Sequence, residues 1–266
     1  MGEILGLDVS HYQGNIDWKL VSESGRKFAI LKCMYEAQSH RIDEQFENNY
    51  RGCGIYGLSR GVYIFIGRAS INNPEADAKA LLSHLSDRAL EYGIWLDYES
   101  EHLRKIGKEK LLKLTYIYAN AFRSSGYHVG IYCNKDWYDN VIPKELKEDF
   151  DFWIARYPKN DIGIYNGKSS LKPSIKTAVA WQYSSKGRIP GIKNHVDLDV
   201  DFDGIIELIS DSPYKKTDEE IAQEVLKGKW GTKTSIPSRK TMLTRAGYDY
   251  SKIQKIVNDI IKKRYT

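Results

Sequence analysis

The segment Gly-Ile-Trp-Leu-Asp-Tyr-Glu at residues 93–99 is a short apolar run that ends in two carboxylates. A run of this kind between a glycine and a polar segment is typical of a buried β-strand. Alternate side chains of a strand share a face, so Trp95, Asp97 and Glu99 are expected on one side. Burial and mutual repulsion would then raise the pKa of one acid, as acid/base catalysis requires.

Similar runs elsewhere predict an α/β barrel. They occupy residues 4–9, 28–33, 61–66, 129–132, 152–155 and 178–183. Helices are predicted from Pro74 to about residue 90 and over residues 107–126. Strands and helices that alternate about every 30 residues indicate parallel βα units, and about 210 residues suit a small or modified α/β barrel. The later strands have less helix between them, so we expect an irregular final third.

Several polar side chains fall at the ends of these predicted strands. Asp8 ends the first strand, Asp97 and Glu99 end the fourth, and Tyr63 and Tyr132 lie late in two others. The carboxyl ends of parallel strands meet at one end of a barrel, where active sites form. The sequence therefore predicts one acidic cluster, although a strand-end acid can also be solvated or paired with a base.

Residues 196–204 carry alternate aspartates that copy the first half of an EF-hand calcium loop. The copy fails at its twelfth position, where Ser210 replaces the bidentate glutamate, and the intervening residues are bulky as in a strand. A strand that brings Asp197 to the acidic cluster is the favoured interpretation, with Asp199 as the alternative. Without metal-ligand spacing or a nucleotide motif, the sequence predicts no metal site and no cofactor.

Composition limits the class of protein and its location. The chain has 266 residues, 41% of them hydrophobic, and lacks a run of about 18 apolar residues, so membrane insertion is not expected. Its first residues lack the basic and apolar regions of a secretion signal. Either the protein is made in the cytoplasm and reaches its target after release, or its signal is absent from this sequence.

Positive charge is concentrated at the C-terminal end. Residues 214–266 carry 13 Lys and Arg against 6 Asp and Glu, whereas the remainder has a balance of −2. Such an asymmetry indicates an anionic partner, which could be nucleic acid, a membrane surface or a cell-wall polymer. A solvated helical face is the simpler alternative.

Four motifs in order resemble the glycoside hydrolase family 25 lysozymes, the Chalaropsis-type muramidases of many phages and bacteria. They are DVSHYQGNIDW at residues 8–18, WLDYE at 95–99, WQYS at 181–184, and VDLD at 196–199 after Gly191. The resemblance spans about residues 4–209. It implies an irregular, flattened β/α barrel that cleaves the β-1,4 bond between N-acetylmuramic acid and N-acetylglucosamine in peptidoglycan.

The resemblance also implies residue roles. Glu99 matches the proton donor and Asp97 its partner carboxylate, while Asp8 and Asp197 match two further acids of the pocket. The side chains expected to contact substrate are Tyr63, Tyr132, Trp181 and Gln182. Ile64 stands where members often have a histidine, and residues 32–36 depart from the usual Lys-Ala-Thr-Glu-Gly form.

A second resemblance covers the basic tail. Residues 217–231, 239–243 and 246–250 look like the CW_7 cell-wall-binding repeat found in some phage lysins. A capping box at Thr217 and Glu220 predicts the first of three helices, and the third runs from about Tyr250 to Lys263. The predicted organisation is a catalytic domain at residues 1–209, a linker at 210–216 and a binding domain at 217–266. A single repeat implies weak affinity that relies on tethering.

Together these features predict a monomeric peptidoglycan hydrolase, used as a phage or prophage endolysin. The alternative is a peptidoglycan-binding protein without catalysis, although binding alone would not need four acids. Nucleic-acid binding through the tail lacks a recognised motif and is not expected. Retention or inversion of configuration depends on the distance between the two carboxyl groups, which the sequence does not fix.

Overall fold

A closed eight-stranded barrel forms the body of the protein in the computed structural model, which describes residues 2–35, 40–85, 88–202, 217–228, 230–232, 238–240, 243 and 248–265. The strands are β1 (Ile4–Val9), β2 (Phe28–Met34), β3 (Ser59–Phe65), β4 (Ile94–Asp97), β5 (Val129–Asn134), β6 (Asp151–Ala155), β7 (Ala178–Gly187) and β8 (Val196–Asp201). The predicted α/β barrel is therefore confirmed.

Helices follow most of the early strands. Within the described ranges they are α1 (Trp18–Glu23), α2 (Phe46–Tyr56), α3 (Arg68–Asn72), α4 (Pro74–Leu85), α5 (Glu101–Arg104), α6 (Lys108–Ser124), α7 (Lys135–Asn140), α8 (Lys144–Asp149), α9 (Asp218–Leu226) and α10 (Tyr250–Tyr265), with a 3-10 turn at His11–Gln13. The helix that begins at Pro74 ends at Leu85, earlier than predicted.

The final third of the barrel is irregular, as predicted. Strands β1 to β7 pair in parallel order, whereas β8 runs antiparallel to both β7 and β1. Residues 156–177 and 188–195, which are all described, contain no helix. The antiparallel register places Asp8 beside Asp197 and Gly6 beside Asp199. This pairing brings the aspartates of β8 to the acid that ends β1.

Residues 196–201 form strand β8 rather than the start of a calcium loop, in line with the favoured interpretation. The strand predicted over residues 93–99 is shorter than expected, because β4 ends at Asp97. Glu99 lies two residues beyond the strand, at the start of the loop that leads into α5. Strand alternation therefore holds for Trp95 and Asp97, while the loop sets the position of Glu99.

The lower half of the barrel interior is filled by side chains. The inner cluster of buried residues is Phe28, Ile30, Tyr92, Trp95, Trp153, Val179 and Ala180. The ring of Phe28 stacks on Tyr92 with centroids 4.2 Å apart, and Trp95 meets Trp153 edge-on at 5.9 Å. Gly130 gives Trp95 its space, since a Cβ there would lie 2.3 Å from the indole. The filled lower interior leaves room inside the barrel at the carboxyl ends of the parallel strands.

The C-terminal helices have a hydrophobic cluster of their own, which includes Ile221, Trp230, Leu243 and Ile253. The predicted capping box begins α9: Thr217 Oγ1 accepts from the Glu220 amide, and the Glu220 side chain accepts from the Thr217 amide. The second predicted helix falls largely outside the described residues, as does the whole linker at 210–216. No helix in the described ranges is long and apolar enough to cross a membrane.

Candidate active site

A cleft of about 250 Å³ opens at the carboxyl ends of the barrel strands. Its lining residues are Asp8, Tyr63, Asp97, Glu99, Tyr132, Trp153, Tyr157, Gln182, Ser185 and Asp197. Seven of the eight side chains predicted from the sequence therefore lie around one space. They come from β1, β3, β5, β7, β8 and the end of β4, which explains how acids far apart in the chain share a site.

Trp181 is the predicted site residue that the structure does not bring to the cleft. It neighbours Gln182 on β7 and points to the opposite face of the strand, where it is buried. Its indole Nε1 donates to the backbone oxygen of Arg156 at 2.9 Å, and its ring packs against Tyr183 and Tyr165. The prediction of substrate contact is corrected: Trp181 belongs to the core between the barrel and its surrounding segments.

Asp97 and Glu99 occupy unequal environments. Asp97 is buried at the end of β4, whereas Glu99 is exposed to the cleft. Burial raises the pKa of Asp97 well above its usual range, and repulsion from Glu99 raises it further. Partial desolvation of its carboxyl group between the cleft walls also raises the pKa of Glu99, and the Lys32 ammonium opposes both shifts. The pair thus retains a proton at a pH where isolated carboxyl groups would be ionised.

Asp8 and Asp197 form the opposite side of the acidic cluster. Asp197 is half-buried, and burial together with repulsion from Glu99 and Asp161 raises its pKa to about 6. Asp8 is buried, which raises its pKa strongly, and Asp197 and Asp199 add repulsion. The Gln182 amide donates to Asp8 Oδ2 at 2.6 Å, which partly offsets the shift.

Asp199 lies below the cleft rather than on its wall. It is fully buried on β8, lies close to the carboxyl group of Asp8, and accepts a 2.9 Å hydrogen bond from Trp153 Nε1. Burial and the charge of Asp197 raise its pKa, whereas the bond from Trp153 lowers it. Of the two aspartates left open by the sequence, Asp197 faces the cleft and Asp199 supports Asp8 from beneath.

Two tyrosines fix the orientation of Gln182. The hydroxyl groups of Tyr132 and Tyr157 both donate to Gln182 Oε1, the first at 2.8 Å. With its oxygen held in this way, the amide nitrogen of Gln182 is aimed at Asp8. The sequence reasoning missed Tyr157, which lies in the loop after β6. It also missed Trp153, although the alternation of the predicted strand at 152–155 could have placed that side chain inward.

Comparison with known proteins identifies the barrel. Residues 7–192 match the family described as Glycosyl hydrolases family 25. The chain belongs to this family. Residues 219–261 match the CW_7 repeat, so both predicted resemblances are confirmed.

The relatives of this family 25 chain include two curated lysozymes. Lysozyme M1 of Streptomyces globisporus is 26% identical over 204 residues, which are 73% of this chain and 66% of that protein. The autolytic lysozyme of Clostridium acetobutylicum is 28% identical over 202 residues, 76% of this chain and 56% of that protein. The chain therefore spans about half to two thirds of the length of these relatives.

A solved structure shares the family 25 fold. The crystal structure of the bacterial lysozyme from Streptomyces coelicolor is 22% identical and has a TM-score of 0.59. The match covers 79% of this chain and 97% of that one.

The departure from the family pattern at Ile64 lies away from the cleft. Ile64 is fully buried in the outer core, while its neighbour Tyr63 lines the cleft. A histidine is therefore missing from the outer face of β3, not from the wall of the acidic site.

One group of possible metal ligands occurs among the described residues, and it is not part of the cleft lining. Nitrogen and oxygen ligand atoms of His11, Asp43 and Glu44 lie within 4.8 Å of one another. These atoms already bind each other or Tyr35: His11 Nδ1 lies 2.8 Å from Asp43 Oδ2, and the Tyr35 hydroxyl donates to Glu44 Oε2 at 2.7 Å. Their hydrogen bonds account for the cluster without an ion.

Proposed function

We propose that this family 25 protein hydrolyses the β-1,4 bond between N-acetylmuramic acid and N-acetylglucosamine in peptidoglycan. The observation that carries the proposal is the convergence of Asp8, Asp97, Glu99 and Asp197 on one cleft. Glycoside hydrolysis requires a protonated carboxyl group beside a second carboxyl group that faces the anomeric carbon. The high pKa values of this cluster support the first requirement.

In the proposed mechanism Glu99 donates a proton to the glycosidic oxygen as the bond to C1 of muramic acid breaks. Glu99 suits this role because it is the most exposed acid of the cluster and can reach a substrate oxygen. Asp97 stabilises the positive charge that develops near C1, or orients the 2-acetamido group if that group attacks C1. Asp8 and Asp197 complete the pocket.

The protonation of the pair depends on substrate. In the free protein, burial favours a proton on Asp97 more strongly than on Glu99. A bound sugar excludes water from Glu99 and so raises its pKa, while positive charge at C1 stabilises the Asp97 carboxylate. The proton is therefore available on Glu99 in the complex, where it is needed.

Digestion of purified peptidoglycan tests this assignment. The wild-type chain should release new reducing ends that terminate in muramic acid, and Glu99→Gln should lower the rate by at least about 100-fold. Glu101→Gln is the matched control, because Glu101 is exposed on α5 two residues away. Amines released without reducing ends would indicate an amidase or peptidase, and binding without any release would indicate a wall-binding protein.

We further propose that residues 1–209 are the catalytic domain, 210–216 the linker and 217–266 a wall-binding domain of a phage or prophage endolysin. The CW_7 match supports the binding role, because a wall-binding repeat would hold the enzyme on its polymer. Bacteria that express the chain should lyse rapidly when their membrane is permeabilised and remain intact before. Lysis without permeabilisation would contradict release through a damaged membrane.

A further inference from the structure

Two exposed isoleucines lie in a segment that is hydrogen-bonded to the wall of the cleft. Ile162 is 63% exposed and Ile164 is 70% exposed, both in the connection between β6 and β7. We call residues 161–164 the rim segment. Single exposed apolar residues are common, but two within one four-residue segment beside a binding cleft form a surface that a ligand can cover.

Asp161 fixes the rim segment to strand β7. Its Oδ1 accepts hydrogen bonds from Ser184 Oγ at 2.6 Å and from the Gly163 amide at 3.1 Å, and its Oδ2 accepts from the Ser185 amide at 2.8 Å. Burial alone would raise the pKa of Asp161, but these hydrogen bonds outweigh it and lower the pKa. Because Ser185 lines the cleft and its amide is bound by Asp161, the rim segment lies immediately behind one residue of the cleft wall.

The backbone of the rim segment is also closely packed against strand β7. Gly163 has a φ of +74°, and a Cβ there would lie 2.8 Å from the Lys186 oxygen. Behind it, the ring of Tyr165 packs against Tyr183 with centroids 5.0 Å apart. The backbone that carries the two isoleucines is therefore already ordered, which reduces the conformational entropy that the protein loses when a ligand binds.

Positive charge adjoins the aliphatic pair. Lys186 is exposed next to Ser185, and its charge lowers the pKa of Asp197, so it acts within electrostatic range of the cleft. Arg188, two residues further along the chain, is also exposed. The surface beside the cleft thus combines aliphatic side chains with cations.

This combination fits a peptide better than a sugar. Sugar rings stack on flat aromatic faces, which branched aliphatic side chains do not provide. The peptides attached to muramic acid carry alanine methyl groups and free carboxylates, and a stem of about five residues can extend roughly 17 Å from its sugar. Such a stem can reach the rim segment from a muramic acid held in the cleft.

We propose that Ile162, Ile164 and Lys186 form a binding surface for the stem peptide of the muramic acid at the cleavage site. The inference rests on the proposed muramidase function and adds the part of the substrate that the acidic cleft does not contact. Binding of the stem at this surface would make stem-bearing glycan a better substrate than glycan stripped of its peptides.

The test compares two substrates: stem-bearing peptidoglycan chains, and the same chains after an amidase has removed the stems. For Ile162→Ser/Ile164→Ser, the ratio of kcat/KM on stem-bearing to peptide-free chains should fall about tenfold, the size typical of a lost apolar contact. Ile55→Ser is the matched control, because Ile55 is 40% exposed on α2, a helix that contributes no residue to the cleft lining. Lys186→Gln should lower the same ratio independently.

A ratio that neither variant changes, with both proteins folded by thermal melting, would overturn the stem assignment alone. Equal losses on both substrates would also overturn it, because they would indicate a general effect on the cleft. Loss of a wild-type dimer in the double variant, measured by sedimentation, would assign the rim segment to a second copy of the chain. If the wild-type chain releases no reducing ends from either substrate, the proposed function fails and the stem assignment with it.

Discussion

At the scale of single residues, the cleft divides its acids by depth. Asp8, Asp97 and Asp199 are buried, whereas Asp197 is half-buried and Glu99 is exposed. Burial opposes ionisation, so the deep acids hold protons most firmly. Ionisation of these buried carboxyl groups lowers the free energy of unfolding, and this loss can be measured as a dependence of stability on pH.

Asp197→Asn should stabilise the protein at pH 7 by about 1 to 2 kcal/mol while lowering activity. The pKa of Asp197 is raised from 3.8 to about 6 in the native state, so the native state binds this proton more strongly than the unfolded state does. The stability that the native state gains from this protonated Asp197 is fully present below about pH 4 and is lost as the pH rises through about 6. Urea unfolding at pH 4 and pH 7 measures the difference.

Glu145→Gln serves as the control, because Glu145 is exposed on α8. It should change stability by less than about 0.5 kcal/mol at both pH values. An Asp197→Asn variant that is no more stable than the wild type at pH 7 would contradict the claim that ionisation of Asp197 destabilises the native state.

The alternation of side chains along predicted strands gave the correct positions of the acids, but it did not show which residues of β7 face the cleft. Asp8 and Asp97 lie in the last two positions of their strands, so their predicted positions depend only on strand polarity. In Ala178–Tyr183 both faces are buried, so the pattern cannot distinguish Trp181 from Gln182. The register also shifts between Gln182 and Ser184, which lets Gln182 and Ser185 face the same cleft although they are three residues apart. A bulge of this kind leaves little signal in hydrophobic periodicity.

At the scale of elements, the direction of β8 follows from the length of its connection. A parallel crossover needs about a dozen residues or more, and usually a helix, whereas residues 188–195 provide eight. A short connection therefore makes β7 and β8 an antiparallel pair. The sequence contained this spacing, but the α/β alternation of the first six strands led to an expectation of parallel units.

Gly130→Ala should destabilise the barrel by about 2 kcal/mol through overpacking. The new methyl group would meet the Trp95 ring, which cannot easily move because its Nε1 donates to the Tyr92 oxygen at 2.7 Å. Thermal or urea unfolding gives the loss. Combining Gly130→Ala with Trp95→Phe should cost less than the sum of the two single changes, since the smaller ring leaves room for the methyl group. Strict additivity would refute the contact as the cause.

At the scale of the whole molecule, wall binding and bond cleavage should be separable. Ile253 is fully buried in the cluster of the C-terminal helices, so Ile253→Asp should unfold that region and lower binding to pelleted cell walls about tenfold. Turnover of soluble peptidoglycan fragments should stay within about twofold of the wild type, because the barrel has its own core.

Ile261→Asp provides the comparison on the same helix, because Ile261 is 40% exposed. It should bind walls like the wild type. If Ile253→Asp binds walls normally while circular dichroism shows lost helix, the targeting role of residues 217–266 is refuted.

The aromatic filling of the lower barrel determines how a polymer can approach. Phe28, Tyr92 and Trp95 fill the axis of the barrel beneath the acids, so the barrel strands, all of which are described, enclose no tunnel through which a long polymer could be threaded. On the proposed function, a glycan would lie across the mouth and present one internal linkage at a time to Glu99. If the proposed activity holds, each encounter would cut a glycan chain at any accessible internal point, and a few cuts would weaken the cross-linked wall long before it is fully digested.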